Sequence, residues 1–456
     1  MRSLLFITLF LVTGCMVGPD YHKPEVTLSP AWKQQETLKP QDSDANAGPP
    51  TQEAWWKDFQ DETLDALIAK ALDNNHDRKI AQARVLEARE LRLNAASSLY
   101  PDISAGGTAE RGNPGLSTQN KALDLYQGNF DASFEIDLFG GNRRKVEAQD
   151  ALIGSREAAY QSTTITLVAE IVSEYATLRE LQNRYDVTQK TAETQKQLAG
   201  FSKTKFNHGA ASGLEVAQTE ALYRATLSHL PLLARDATAT IYRLSVLTGA
   251  ENDEIVTLLE KKGEIPKVAH APIMDAPAAV LSRRPDVAEA ERNLATNTAL
   301  TGVAISELYP KITLSALFGW QNTSLLPSAN IWSLASGAAM PLLNFGRIQG
   351  DIDAADARQQ QTYHAYRKAV ISAVADVETK LSDYAKDKEH TESVKVALES
   401  NRKALALARL RYEKGLTSLI DTLDAENKVY AGENELLTAQ ASEMRAVAAL
   451  QKAGGL

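Results

Sequence analysis

The chain has 456 residues, and its 49 lysine and arginine residues against 58 aspartate and glutamate residues give a formal net charge of −9 at pH 7. The sequence has no basic block interleaved with aromatic residues, so we expect no nucleic-acid partner. It contains one cysteine, which excludes a disulfide within the chain.

The N-terminus has the pattern of a cleaved export signal. Arg2 precedes an apolar run from Leu4 to Val12, which is too short to span a bilayer. The run ends in Val-Thr-Gly-Cys, which resembles a bacterial lipobox, and its last residue is the lone cysteine, Cys15. We therefore predict a signal peptide at 1–14 and lipidation of Cys15. The alternative is an ordinary signal peptide that happens to contain a cysteine.

Two long segments of the chain repeat each other at a nearly constant offset. The triplet Leu-Tyr-Pro at 99–101 recurs at 308–310, and the pair Phe-Gly at 139–140 recurs at 345–346. In each copy the triplet opens a predicted strand pair and the Phe-Gly pair closes it. A tandem duplication explains this arrangement.

The predicted strands alternate between apolar and polar residues. The pattern is clearest over 126–138, weaker over 103–109, and present again over 311–321 and 332–342. Such alternation also fits a soluble antiparallel sheet with one solvated face. The helical runs beside the strands are too long to fold back over a sheet, which favours strands in a membrane.

Four strands predict an oligomer if they lie in lipid. Open sheet edges are not tolerated there, and about eight strands are the practical minimum for a closed barrel. Two copies would supply eight strands and a lumen filled by side chains, whereas three would supply twelve and room for a pore.

Very long helices are predicted after each strand pair. Neither glycine nor proline occurs between Ser155 and Ala199 or from Asp351 to Lys414. An unbroken helix of about 64 residues is on the order of 95 Å long, and its apolar residues follow coiled-coil spacing.

Glycine and proline predict where these helices end or bend. We expect Gly209 and Gly415 to end the long helices in the left-handed conformation. Pro231 is predicted to kink the helix that returns from the first of these ends, and Gly432 to loosen the helix that returns from the second.

Short motifs accompany this order of elements: Pro-Asp-Tyr at 19–21, Ser-Arg-Arg-Pro-Asp at 282–286 and Arg-Tyr-Glu-Lys-Gly at 411–415. Together with the lipobox cysteine and the duplicated strand and helix hairpins, they resemble the TolC-like outer membrane factor family in its lipoprotein (NodT-like, RND-type multidrug efflux) branch. The resemblance implies a mixed α and β membrane protein. It would be a homotrimer whose twelve-stranded outer-membrane β-barrel continues into a periplasmic α-helical tunnel.

The resemblance also implies a function. The protein would be the exit duct of a tripartite efflux pump, passing small molecules such as drugs from the periplasm to the exterior. Its partners would be a periplasmic adaptor (membrane fusion protein), an inner-membrane RND-type transporter and outer membrane lipid. It would be anchored to the outer membrane by lipid and extend into the periplasm.

No strong linker divides the chain, so we expect one interwoven unit. Its expected segments are a signal peptide (1–14), a lipidated N-terminal periplasmic segment (15–60), periplasmic helices (61–98), transmembrane β-hairpin 1 (99–140), coiled-coil hairpin 1 (141–250), an equatorial linker with periplasmic helices (251–307), transmembrane β-hairpin 2 (308–346) and coiled-coil hairpin 2 with the gate (347–453).

The start of the last helix is the candidate gate. Asp421 and Asp424 are three residues apart and share a helix face. Threefold symmetry would turn them into rings that attract cations and repel one another. The resemblance assigns an aspartate ring to Asp424 and an apolar ring to Ile420 at the closed end. The alternative is that acids in the first turn are ordinary partners of the helix dipole.

The resemblance further implies a latch at the end of the preceding helix. Arg411 and Tyr412 match tip residues that hold neighbouring helices shut, and Gly209 and Gly415 match tips that contact the adaptor. Some family members carry an arginine just after the glycine, where this chain has Thr417, so the partner of the latch stays open.

No catalytic or cofactor-binding pattern is present in the sequence. The seven histidines are scattered without metal-ligand spacing, and Gly-Ala-Ala-Ser-Gly at 209–213 lacks the spacing of a nucleophile elbow. We expect no enzymatic activity, no cofactor and no metal site. The rival function is a periplasmic coiled-coil lipoprotein or adaptor that bridges membranes without a pore. Such a protein needs one helical hairpin, whereas this chain has two.

Overall fold

The computed structural model describes residues 16–34, 54–112, 122–250, 252–268, 274–324 and 327–456. In chain order its elements are a 3-10 helix (Trp55–Phe59), α1 (Glu62–Asn74), α2 (His76–Ser97), β1 (Asp102–Gly112), β2 (Leu123–Ile136), α3 (Gly141–Asn207), α4 (Gly213–Ser228), α5 (Leu230–Thr248), α6 (Asn252–Glu260), α7 (Pro277–Arg283), α8 (Pro285–Ser306), β3 (Lys311–Thr323), β4 (Ala329–Ala339), α9 (Arg347–Glu413) and α10 (Leu419–Ala453). The predicted fold class is confirmed, because a strand pair followed by a long helical hairpin occurs twice.

The four strands form one antiparallel sheet in the order β1-β2-β3-β4. The pairing of β2 with β3 joins the two halves of the duplicated chain and sets Phe130 opposite Phe318. The fourth strand was predicted to reach Leu342, which is wrong, because β4 ends at Ala339. Pro341 has no backbone N–H and cannot extend the ladder. β1 and β4 are the edge strands of the sheet.

Each strand pair passes into a long helix through a glycine with positive φ. Gly140 has a φ of 80° and Gly346 a φ of 86°. The helices that follow, α3 and α9, contain 67 residues each. At 1.5 Å per residue this corresponds to about 100 Å. The two copies therefore keep the same junction and the same helix length.

The return helices differ from the prediction in an instructive way. The first is interrupted and not merely kinked, because α4 ends at Ser228 and α5 begins at Leu230 with Pro231 in its first turn. The second return helix, α10, runs unbroken through Gly432, and the loosening expected there stays a prediction. A Cβ at Gly432 would lie 3.2 Å from Cδ1 of Leu398, so the glycine permits close packing against α9.

The chain divides into two compact units, each woven from separate stretches of sequence, where we expected one. The first comprises the N-terminal residues up to Val26 with Gln82–Ala159 and Asp286–Ala369, and it contains the sheet. The second comprises Thr27–Ala81, Tyr160–Pro285 and Val370–Leu456.

The second unit has an apolar core that α1 illustrates. Four side chains of α1 lie at helical spacing and are fully buried: Leu64, Leu67, Ile68 and Ala71. Asp61 caps α1 by accepting hydrogen bonds from the backbone N–H groups of Thr63 and Leu64. The same carboxylate accepts a hydrogen bond of 2.7 Å from the buried Tyr175 hydroxyl of α3. Capping and core packing therefore fix α1 to α3 together.

Alanine substitutions at two glycines of the sheet should affect the stability of the protein differently. A Cβ at Gly319 would lie 2.7 Å from Cβ of Asn129 and closer still to the carbonyl oxygen of Gly128, whereas a Cβ at Gly128 meets nothing within 4 Å. Gly319→Ala should lower the free energy of unfolding by roughly 1–3 kcal/mol through overpacking. Thermal unfolding followed by circular dichroism measures this, with Gly128→Ala as the matched control. Equal melting temperatures for the two variants would contradict the β2–β3 register.

Candidate functional site

The two faces of the sheet differ in polarity, as the alternation predicted. One row of paired residues crosses all four strands and is apolar: Ala105, Phe130, Phe318 and Trp332. The adjacent row lies on the other face: Ser104, Asp131, Leu317 and Ser333. Phe130 is 62% exposed in the single chain, and on the opposite face the amide of Asn129 donates to the Asp131 carboxylate. One face suits lipid and the other suits water.

A buried arginine holds the N-terminal segment against the start of α3. Arg144 is 1% exposed. It donates hydrogen bonds to the carbonyl oxygens of Val17 (3.2 Å) and Gly18 (3.3 Å) and to the carboxylates of Asp20 (2.6 Å) and Glu147 (2.7 Å). The N–H of Val17 donates to the carbonyl of Phe139 at 3.1 Å, just after β2. Cys15, the predicted lipidation site, lies outside the described residues.

Both helical hairpins turn on a glycine in the left-handed conformation, as predicted. Gly209 has a φ of 73° and Gly415 a φ of 68°. The next N–H bonds back to the helix in each case, from Ala210 to the Lys205 carbonyl and from Leu416 to the Arg411 carbonyl. A Cβ at either glycine would meet open space, so backbone conformation and not packing requires glycine there.

Asp421, a predicted gate residue, caps the start of α10. Its carboxylate accepts hydrogen bonds from the Thr417 hydroxyl and from the hydroxyl and backbone N–H of Ser418. These hydrogen bonds hold the pKa of the Asp421 carboxyl below its usual range, with a further contribution from the charge of Arg411. The Asp421 carboxylate is therefore engaged at the helix terminus, and its place in a gate stays a prediction.

Asp424 and Ile420 lie on the exposed side of the same turns. Asp424 forms an ion pair of 2.7 Å with Lys428, four residues further along α10. Ile420 is 56% exposed, whereas its neighbour Leu419 is buried. The charge of Asp424 is therefore balanced within its own helix, which the sequence prediction did not include.

The structure supplies a partner for Tyr412. Lys205, in the last turn of α3, lies with its Nζ 4.8 Å from the Tyr412 ring and 4.8 Å from the Phe201 ring. A lysine between two aromatic faces is a cation–π contact, and here it joins the ends of α3 and α9. Sequence reasoning missed Lys205; its spacing of four residues from Phe201 was the available signal.

A second contact near the tip also escaped prediction. Arg409 of α9 forms an ion pair of 2.7 Å with Glu426 of α10, whose side chain is 8% exposed. The hydroxyl of Thr422 points at the carbonyl of Ala408 at 3.5 Å. The ends of α9 and α10 are thereby tied into one hairpin.

Among the described residues, no group of three or more His, Cys, Asp or Glu side chains is arranged to hold a metal ion. In the same ranges no helix combines the length and the apolar composition needed to cross a bilayer.

His390 lies 3.2 Å from the carboxylate of Glu435 on the exposed side of α9 and α10.

Comparison with known proteins gives consistent matches along the chain. The family described as outer membrane efflux protein matches residues 67–250 and 276–456. Nodulation protein T of Rhizobium leguminosarum bv. viciae is 28% identical over 439 residues, covering 94% of this chain and 88% of that protein. The pyoverdine export outer membrane protein OpmQ of Pseudomonas putida is 30% identical over 417 residues, covering 88% and 87%. The structure of the outer-membrane channel OprN is similar with a TM-score of 0.88 and 30% identity, covering 97% of this chain and 99% of that one.

The contact of Lys205 with the Tyr412 ring should stabilise the end of α9 against local unfolding. Lys205→Met removes a cation–π contact of about 0.5–1 kcal/mol, so backbone amides at 410–416 should exchange roughly twofold to fivefold faster with deuterated solvent. Lys203→Met, an exposed lysine in the same turn, is the control. Mass spectrometry of exchanged peptides makes the measurement. Equal exchange in the two variants would show that Lys205 does not order this end of α9.

Proposed function

The chain belongs to the outer membrane efflux protein family, and from this we propose that it is the exit duct of a tripartite pump, assembled as a homotrimer. It is an outer membrane efflux channel and not an enzyme. The observation that supports the assembly best is the four-stranded sheet, which has one apolar face and two edge strands.

Closure of the sheet favours three copies. Successive strands alternate in direction, so β4 of one copy lies antiparallel to β1 of the next in any ring of copies. Three copies give about twelve strands, enough for a lumen that passes solutes, whereas two give about eight and a lumen filled with side chains. Purified protein in planar bilayers should therefore show stable ion-conducting steps. Absence of conductance from correctly inserted protein would support the rival function, a coiled-coil bridge without a pore.

Substitutions at neighbouring residues on opposite faces of the sheet should affect trimer assembly differently. Phe130→Arg would put a charge into lipid at a cost of roughly 2 to 4 kcal/mol in each copy, so few trimers should assemble. Asp131→Ala alters the water-facing side and should assemble normally. The two variants can be compared by the amount of heat-resistant trimer that is extracted from outer membranes. Equal assembly of both variants would reverse the assignment of the faces.

We place the partners of the duct at the helix tips. Exposed apolar side chains surround Gly209 and Gly415: Phe206, Leu214 and Leu416. Exposed apolar side chains at the tips suit docking of a periplasmic adaptor, which would connect the duct to an inner-membrane RND-type transporter. OpmQ is named for pyoverdine export; for this chain we propose small molecules such as drugs as the cargo.

We propose that the closed mouth is formed by Ile420 and Asp424, with Tyr412 and Lys205 as the latch. Arg411 contributes charge near the helix start, and Asp421 contributes the cap. Because Asp424 pairs with Lys428, each copy brings a charge pair and not a lone carboxylate to the constriction.

The Asp424–Lys428 pair predicts that ion selectivity shifts in opposite directions when either partner is neutralised. Asp424→Asn leaves Lys428 unpaired, so cation preference in planar-bilayer recordings should fall. Lys428→Met leaves Asp424 unpaired, so cation preference should rise. Conductance should change only modestly in both, because Ile420 is retained. Unchanged reversal potentials in both variants would move the constriction elsewhere.

The lipid anchor is a separate proposal. The Arg144 contacts hold residues 17–20, which follow Cys15 in the sequence, next to the end of β2. A barrel already supplies membrane affinity that one lipid group increases little. Cys15→Ser should therefore abolish labelling by palmitate analogues yet leave trimers in the outer membrane. Retained labelling would contradict acylation at Cys15, and complete loss of trimers would make the anchor essential for assembly.

A further inference from the structure

Two aromatic residues stack where β2 and β3 lie side by side. Phe139 follows β2 and Tyr309 precedes β3, and their ring centroids are 4.5 Å apart at an interplanar angle of 24°. Stacked aromatic pairs add stability beyond the area that they bury. We call the pairing of β2 with β3, together with this stack, the β2–β3 join.

The duplication provides a second copy of each aromatic residue, and both copies are exposed. Phe345 corresponds to Phe139 through the recurring Phe-Gly pair, and Tyr100 corresponds to Tyr309 through the recurring Leu-Tyr-Pro triplet. Tyr309 is 36% exposed, whereas Phe345 is 91% and Tyr100 71% exposed. The strands differ in the same way, because β2 and β3 lie beside each other and β4 and β1 are the edges of the sheet. The missing neighbour therefore accounts for the exposure.

The strand register follows the duplication within the chain. Asp102 pairs with Ser133 between β1 and β2, and Lys311 pairs with Ala339 between β3 and β4. Lys311 lies 209 residues beyond Asp102, and Ala339 lies 206 residues beyond Ser133. The two recurring motifs have these same offsets. The two strand pairs are therefore copies of each other in register as well as in sequence.

The same offsets transfer the β2–β3 register to β4 and the β1 strand of a neighbouring copy. Ala132 pairs with Ala316 in the β2–β3 join, and the corresponding residues are Ala338 of β4 and Gly107 of β1. Ala338 is six residues from Trp332, and Gly107 is two residues from Ala105, so both lie on the apolar face of the sheet. The transferred register thus makes the apolar faces of neighbouring copies continuous, whereas a shift of one residue would interrupt them.

We propose that the contact between copies repeats the β2–β3 join. Ala338 of one copy lies opposite Gly107 of the next, and the Phe345 ring stacks on the Tyr100 ring of the next. The edge of β4 is thereby covered by a second copy of this chain. This inference rests on the proposed function in requiring a closed ring of copies, but the register is the same for any number of copies.

Paired cysteines in the full-length protein test the register. Directly opposed residues of antiparallel strands have Cα atoms about 4.5–5.5 Å apart, which a disulfide can bridge. Ala338→Cys combined with Gly107→Cys should therefore link neighbouring copies on mild oxidation. Denaturing gels without reductant should then show covalent trimers. The parent chain, with Cys15 alone, gives the background.

Two further cysteine pairs serve as matched controls. Ala132→Cys with Ala316→Cys occupies the corresponding positions inside one chain and should leave only monomers on the same gels. Ala338→Cys with Ala105→Cys is two residues out of register on the same face, so its yield of linked copies should be roughly fivefold lower.

The aromatic stack is tested by substituting its two members separately and together. Phe345→Ala and Tyr100→Ala should each lower the temperature at which heat-resistant trimers dissociate. The double variant should dissociate at the same temperature as the single variants, because each substitution removes the same contact. Tyr100→Phe retains the ring and should dissociate at the temperature of the unsubstituted protein.

The outcomes separate this inference from the proposed function. If assembled trimers link more through Ala338→Cys with Ala105→Cys than through Ala338→Cys with Gly107→Cys, the register is wrong although the trimer stands. If the losses from Phe345→Ala and Tyr100→Ala add, the two rings do not stack on each other. If Ala338→Cys with Gly107→Cys gives covalent dimers from rings of two copies, the contact between copies stands and the trimeric duct fails.

Discussion

The unpaired backbone N–H and C=O groups along the two edges of the sheet determine how this chain must assemble in a membrane. β1 and β4 are edge strands, and the paired rows across the sheet give it one apolar face. Lipid offers no partner for the N–H and C=O groups of an edge strand, so the edges must meet strands of another copy. Oligomerisation follows from this requirement, and a duct follows when three copies rather than two close the barrel.

The duplication extends the requirement to the helices. A ring of copies needs each hairpin of strands to continue into a hairpin of helices in the same way, and the chain does this through Gly140 and Gly346, which share a positive φ. The helices then end alike at Gly209 and Gly415. What differs between the halves is the return helix, which is interrupted before Pro231 in the first copy and continuous through Gly432 in the second. The proposed mouth residues, Ile420 and Asp424, lie at the start of the continuous return helix, α10.

The sequence was most informative where a local rule decides the structure. Alternation predicted the strands, the absence of glycine and proline predicted the long helices, and left-handed glycines predicted their ends. The error at Leu342 had a local cause as well, because Pro341 ends the ladder. Contacts between distant parts of the chain were not predictable in this way. Glu180 meets Thr438 across 258 residues, and no periodicity identifies such a pair before the helices are in place. The Asp424–Lys428 ion pair could have been predicted from the sequence, because oppositely charged residues four positions apart on a helix commonly pair.

The number of chains in a particle extracted from the membrane decides between a closed duct and the other assemblies. Native mass spectrometry of detergent-solubilised particles from outer membranes counts them without assuming a register at the sheet edges. We expect three copies of the mature chain in one particle that survives removal of lipid. A particle of one or two copies would contradict it, because one leaves both edges of the sheet open and two leave no room for a duct.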